Sequence, residues 1–268
     1  FIMVNLSVPA ASAADETATG EELRLATRHQ VPRTVGRNGW LVVEQEVTWK
    51  PSETAIIIVD MWDRHWSWGA TERVNVLAPR INEVIKAARA CGVQIIHAPS
   101  DVMDFYKDHP ARLRALDAPH VAPPEPVEHA DPPQPVDASD GGSDTGETSS
   151  FKAWSRQHPA IEIKDEDYIS DNGQEVYNIL TQKGIKNLIY MGVHTNMCVL
   201  GRSFAIKQMV RWKFNVVLTR DLTDAMYNPF KPPYVSHEEG TRLVIEYIEK
   251  FWCPTILSGD LTTPRKLF

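Results

Sequence analysis

Cys198, in "GVHTNMCVLG" (residues 192–201), stands where an apolar run changes period. The preceding "IKNLIYMGV" reads as a short, fully buried strand, and Val199, Leu200, Phe204, Ile206, Met209 and Val210 then recur at roughly helical spacing. A thiol at a helix start lies among unpaired N–H groups and the positive end of the helix dipole, which lower its pKa toward the reactive thiolate. The same N–H groups can hold an oxyanion. The alternative is a small hydrophobe filling a corner, because free cysteine is among the most buried residue types. Asp60 closes "AIIIVD", where a carboxylate is costly to bury without a partner unless it caps a turn. Lys164 closes "AIEIK" and precedes Asp165, Glu166 and Asp167, so it is either a functional ammonium or a solvated lysine paired with that acidic run. Taken together, the three residues suit covalent catalysis. A carboxylate beside a thiol can take its proton, and a nearby ammonium can stabilise both anions.

The elements that must position them alternate along the chain. "AIIIVD" is a continuous apolar strand, "VLAPRINEVIKAARA" an amphipathic helix ending near Gly92, and "VQIIHAPS" a second buried strand. After the short helical "HPARLRALD", residues 117–150 are rich in Pro, Asp, Gly and Ser. That composition cannot repay the entropy of ordering, and it predicts a mobile excursion from one domain. The rhythm then resumes. "AIEI" is expected as a strand, Asn172 with Glu175 as the capping box of a helix that stops at Gly184, then the strand "NLIYMGV", the helix after Cys198, and the strand "FNVVLT". The helix "GTRLVIEYIEKF", preceded by Ser236 as cap of His237, leads to a last strand, "PTIL". Buried strands alternating with helices predict an α/β fold: a three-layer, doubly wound, mostly parallel sheet of six strands. Sites in such sheets lie beyond the carboxyl ends of strands. Asp60, Ser100, Asp101, Lys164, Cys198 and Asp221 all fall there on this reading, with Asp221 and Asp224 taken as turn caps.

Upstream, "LRLATRHQV" and "GWLVVEQEVTWK" alternate apolar and polar residues and flank Gly36 and Gly39, which predicts an exposed antiparallel hairpin or arm within residues 14–53. The α/β domain then spans 54–268. Residues 1–13 open "FIMVNLSVPAASAADE", which resembles the tail of a secretory signal ending at Ala11-Ser12-Ala13; the alternative is a frayed apolar terminus. Export to a periplasmic or extracellular space is the expectation, with a cytoplasmic protein otherwise. A formal charge of −7 without a Lys/Arg block gives no footprint for nucleic acid. No apolar run approaches the roughly 20 residues of a membrane helix. Cys91, Cys198 and Cys253 are odd in number and widely spaced, so at least one thiol is expected to be free.

The chain resembles the isochorismatase-like cysteine hydrolases, the group that includes nicotinamidases and N-carbamoyl amidases. "IIIVDMWDRHW", "AIEIKDEDYIS", "LIYMGVHTNMCV" and "VVLTRDLTDAM" carry the likeness, which runs from about Thr54 to Leu257. The resemblance implies an Asp60, Lys164, Cys198 triad that cleaves a small amide or ureide C–N bond through a thioester. Backbone N–H groups of His194 and Cys198 would then form an oxyanion hole, with a cis peptide before His194. It also implies a small-molecule substrate and a homo-oligomer. Isochorismatase-type vinyl-ether hydrolysis and a non-catalytic binding protein of the same fold are the rival functions.

The chain also departs from that pattern. Nicotinamidases carry a metal site whose ligands include Asp-x-His after the second strand; here Asp101 is followed by Met103, His97 lies inside the apolar strand, and His109 is too far along. No metal and no other cofactor is therefore expected. Trp212 and Lys213 stand where a glycine is usual, a change expected to affect only the helix end. "MWDRHWSWG" adds Trp62, His65, Trp66 and Trp68 directly after Asp60. Trp62, His65 and Trp66 are expected to shape the substrate pocket, core packing being the alternative.

Overall fold

The computed structural model describes residues 22–34 and 38–262, so the signal-like residues 1–13 lie outside the described residues. Strand β3 (Thr54–Val59) is buried along its whole length. Its alternation divides the core. Ala55, Ile57 and Val59 face one apolar cluster, and Ile56 and Ile58 face the other. A strand buried on both faces in this way is what a parallel sheet requires.

On one face of the sheet lie helices α1 (Trp68–Ala90) and α7 (Gly259–Thr262). On the other lie α3 (Gly173–Lys183), the short α4 (Cys198–Gly201) and α5 (Ile206–Arg211), and α6 (His237–Phe251). The remaining helix is α2 (Pro110–Leu116), and the remaining strands are β1 (Leu23–Pro32), β2 (Trp40–Trp49), β4 (Gln94–Ala98), β5 (Tyr168–Ile169), β6 (Asn187–Val193), β7 (Asn215–Asp224) and β8 (Thr255–Ile256). The sheet order is β2-β1-β8-β7-β6-β3-β4-β5.

The six strands from β8 to β5 are mutually parallel. The sheet nevertheless has eight strands rather than the expected six, because the β1–β2 hairpin joins its edge. One pair, Arg28↔Thr255, connects β1 to β8. The buried Glu249 of α6 secures the junction by accepting from Arg28 Nε (2.8 Å), Gln30 Nε2 (2.9 Å) and Thr255 Oγ1 (2.6 Å). Alternate residues of β1, among them Leu23 and Leu25, close the α1 face of the core. The alternating hairpin, read from sequence as an exposed hairpin or arm, thus supplies two of the sheet's eight strands.

Helix boundaries follow their caps. Ser67 caps α1, Asn172 caps α3, and Gly184 ends α3 at φ 66°. Glu175 does not complete the capping box; it binds Arg112 and Ser170 instead. The expected strand "AIEI" is absent, and the chain joins the sheet only at Tyr168, beside Ile96 of β4.

Residues 117–150 contain no helix or strand, yet they are not free of the core. Val136 and Ala118 are buried in it. Polar anchors hold the rest: Val121 N–H to Asn178 Oδ1 (3.0 Å), Val127 N–H to Arg211 O (3.0 Å), Lys207 Nζ to Asp131 Oδ1 (2.6 Å), and Arg73 to both oxygens of Asp144 (2.8 and 3.0 Å). The tract's own acidic and hydroxyl side chains finish α1. Glu147 accepts from Trp68 N–H (3.1 Å) and Thr145 from Gly69 N–H (3.0 Å), two of the donors that a helix start leaves without intrahelical acceptors.

Candidate active site

Asp60 follows β3 with φ 45°, a backbone conformation seldom adopted by a side-chain-bearing residue other than Asn or Asp. Its N–H still donates to Ala98 O (3.1 Å), while its side chain turns inward and accepts from Ser100 N–H at Oδ1 (2.7 Å). The residue is 0 % exposed. Beside it, Gly192 is the last residue but one of β6, and a Cβ there would lie 2.1 Å from Val59 O. Glycine therefore permits the approach that brings the β6–α4 loop against Asp60.

The loop itself is held on several sides. A cis peptide joins Val193 to His194. Thr195 N–H donates to Asp224 O (2.8 Å), and the Asn196 side chain both donates to and accepts from the Met226 backbone (2.8 Å each). Gln134, from the Pro-rich tract, donates to Asn196 O (2.9 Å). Cys198 is the first residue of α4, where a helix supplies no acceptor for its own N–H.

The structure brings Asp60 and Cys198 together. The Asp60 carboxylate lies near enough to the thiol to act on its ionisation, and the His194 backbone acts on it in the opposite sense. Burial pushes the Cys198 pKa well above that of an ordinary thiol, the Asp60 charge adds to the rise, and Arg202 opposes it. The helix-start argument predicted a lowered pKa, and here it is outweighed by desolvation and a like charge. Burial likewise raises Asp60 from 3.8, against the pull of Arg202, the thiol and Ser100 N–H.

Lys164 is not brought to this pair. Because the sheet begins at Tyr168, Lys164 precedes the last parallel strand and lies at its amino end, away from the carboxyl edge. Its side chain is 44 % exposed and its Nζ lies 2.6 Å from Glu162 Oε1, the solvated pairing that sequence left as the alternative. Asp167 keeps the segment in place by accepting from Lys164 N–H (2.8 Å) while bonding Arg89 and His97. The cation that does meet Asp60 is Arg202: Nε donates to Oδ2 at 3.2 Å, and Nη2 reaches Asp101 Oδ2 at 3.4 Å. Arg202 stands four residues after Cys198, one helical turn on, so the two share a face. That spacing was visible in the sequence, but an arginine near a helix carries no signal of its own.

Of the aromatic group after Asp60, Trp62 is buried, His65 and Trp66 are half-buried, and Trp68 is exposed. Trp62 is 4 % exposed, donates to Ser100 O (3.0 Å) and stacks on Trp154 at 4.2 Å. Trp154 was not singled out in the sequence. It arrives because residues 156–158 run beside Met61, Trp62 and Asp63, with Asp63 N–H to Arg156 O (3.0 Å) and His158 N–H to Met61 O (2.7 Å). His65 lies 5.8 Å from the Trp154 ring, 5.2 Å from Trp66 and 4.9 Å from His194. Burial lowers both histidines, His65 to about 4 and His194 to about 3, so both are neutral near pH 7. His194, 2 % exposed, has no partner for Nε2 among the described residues.

Asp224, expected as a cap, is a buried carboxylate bound by His237 Nε2 (2.9 Å) and Arg73 Nε (2.8 Å). Asp221 accepts from Ser258 N–H (2.8 Å) and Arg80 Nη2 (3.2 Å), partners distant in the chain rather than in its own turn. His97 is committed to Gln157 and Asp167 (3.1 Å each). Asp101 binds Arg202, and its N–H donates to Asp171 (2.9 Å). Among the described residues, no three His, Cys, Asp or Glu side chains converge as metal ligands would. All three cysteines are free thiols.

Comparison with known proteins agrees with this architecture. Residues 54–231 match the isochorismatase domain. The cysteine hydrolase from Pseudomonas syringae pv. phaseolicola 1448A shares the fold at TM-score 0.50 and 19% identity, over 79% of this chain and 92% of that one. An isochorismatase family protein from Burkholderia thailandensis aligns at TM-score 0.45 and 15% identity, over 78% of this chain and 93% of its own. None of the curated proteins compared matches the chain.

Proposed function

This chain belongs to the isochorismatase family of hydrolases, and from that premise we propose that it cleaves a small amide or ureide C–N bond through a thioester on Cys198. The observation that carries the reading is the convergence of the buried Asp60 carboxylate and the Cys198 thiol at the carboxyl edge of the paired strands β3 and β6. Because the thiol rests protonated, attack and deprotonation proceed together. Sγ bonds to the carbonyl carbon as its proton passes to Asp60. The oxyanion forms beside the His194 and Cys198 N–H groups. The C–N bond then breaks, and Asp60 gives the proton to the departing nitrogen. Water adds to the thioester and gives a proton to Asp60. The S–C bond breaks, the acid leaves, and the proton returns to sulfur.

A screen of small amides and ureides for released ammonia or amine, with Cys198→Ala as the blank, tests the proposal. The expected result is turnover in the native protein, an acyl adduct on Cys198 by mass spectrometry in quenched samples, and none of either in the variant. Full amide turnover by Cys198→Ala would overturn it. One observation supports a second reading: the raised pKa of Asp60 also suits a proton donor to a vinyl ether, a reaction that Cys198→Ala would retain.

A further inference from the structure

We propose that Arg202, not Lys164, is the cation of the catalytic group, and that Asp60 is therefore its only proton carrier. The proposal rests on the Cys198–Asp60 reading above. Three observations point to it. Arg202 Nε lies 3.2 Å from the carboxylate that acts on the thiol. Its own N–H donates to Cys198 O (3.2 Å), which sets it one turn from the thiol. Lys164 is committed to Glu162, at the opposite end of the last parallel strand.

The exchange alters the chemistry as well as the address. A lysine can lose its proton and join the transfer, whereas a guanidinium stays charged throughout the working range and can only donate hydrogen bonds. With Arg202 in place, the proton has one route: from sulfur to Asp60, and from Asp60 to the leaving nitrogen. The guanidinium opposes the burial that raises the Asp60 pKa, and it faces negative charge as it gathers on sulfur. Its side chain is 33 % exposed, so it stands between the buried carboxylate and solvent. Asp101, reached by Nη2, holds the planar fork in orientation.

p-Nitrophenyl acetate is a probe that needs no knowledge of the natural substrate, since transfer of its acetyl group to Sγ releases nitrophenolate and passes the thiol proton to Asp60. Acetylation of Cys198, located by peptide mass, would be timed from pH 5 to 9 in the native chain and in Arg202→Met, Arg202→Lys and Lys164→Ala. Loss of an opposite charge at this distance raises a carboxyl pKa by about 1–3 units. The acid limb of the Arg202→Met profile should move to higher pH by that amount, with the rate near pH 6 falling at least about tenfold. Arg202→Lys should keep the limb near its native position, and Lys164→Ala should match the native chain throughout. A merely structural arginine would lower the rate without moving the limb. If Arg202→Met does not fold, Arg202→Gln takes its place and is read in the same way. Loss of acetylation in Lys164→Ala, or an unmoved limb in the folded charge-free variant, overturns the inference and leaves the nucleophile intact. A native chain in which Cys198 takes no acetyl group overturns both.

Discussion

Asp60 combines three costs in one residue: complete burial, a positive φ, and a charge held against desolvation. A carboxyl whose folded pKa is raised binds its proton more tightly in the fold than in the unfolded chain. Its ionisation therefore weakens the fold as pH rises through the folded value. Removing the charge should relieve that cost, and asparagine is an apt replacement because it tolerates the left-handed region. Asp60→Asn is expected to lower the acylation rate by about a hundredfold to ten-thousandfold, the usual worth of a general base. Its melting temperature at pH 7 should stay level or rise. A variant that loses activity and stability together would show that the carboxylate is mainly a structural support.

At the scale of elements, the short helices after β6 show local backbone and the geometry around Asp60 meeting. The apolar spacing after Cys198 predicted one helix; the chain instead forms α4, breaks at Arg202, and restarts at Ile206. That break leaves Arg202 at the end of α4, with its N–H still on Cys198 O (3.2 Å). Beyond α5, Lys213 takes φ 66°, the conformation that a glycine fills without cost at a helix end. The side chain is exposed, so little packing offsets the strain. Lys213→Gly should raise stability by roughly 0.5–1 kcal/mol, read from chemical denaturation, with no effect on acylation of Cys198. A loss of stability would mean that the lysine makes a compensating contact.

Across the whole molecule, the Pro-rich tract, α1, β7 and α6 meet at one buried ionic cluster. His237 offers Nδ1 to Tyr227 O and Nε2 to Asp224 (2.9 Å each), and only the protonated ring can donate to both. Arg73 and Asp144 complete the surroundings, with Asp144 Oδ2 at 3.6 Å from Nδ1. Burial works against the imidazolium, but Asp224 outweighs it and raises the pKa above 6.5. For Asp224 itself, burial is outweighed by His237 and Arg73, and its pKa falls below 3.8. The histidine's contribution is complete below its unfolded pKa and is lost as pH rises through the folded value. The carboxylate's contribution is present above its unfolded pKa and is lost as pH falls through the folded one. The cluster is thus complete between roughly pH 4 and 6.5. Melting temperature should decline above that window in the native chain and stay flat there in His237→Gln. Parallel declines in both would assign the effect to other groups.

What sequence determined by itself was whatever depends on neighbours along the chain. Periodicity revealed the buried strands β3, β4 and β6, and the caps at Asn172, Gly184 and Ser236 marked their helices. Rules for parallel sheets placed Asp60 and Cys198 at one edge, because both follow strands whose ends are unambiguous. Lys164 failed that rule because a four-residue apolar run resembles a strand whether or not the sheet accepts it, and only the register of Tyr168 against β4 decides which edge it faces. The Pro-rich tract was legible as irregular but not as anchored, since its partners, Arg73, Asn178, Arg211 and Lys207, lie far away in sequence. Tertiary structure alone decided the cation. Arg202 became visible only once β3 and β6 had closed around Gly192 and turned Asp60 toward α4, because a charge meets its partner in space and leaves no periodic trace in the chain.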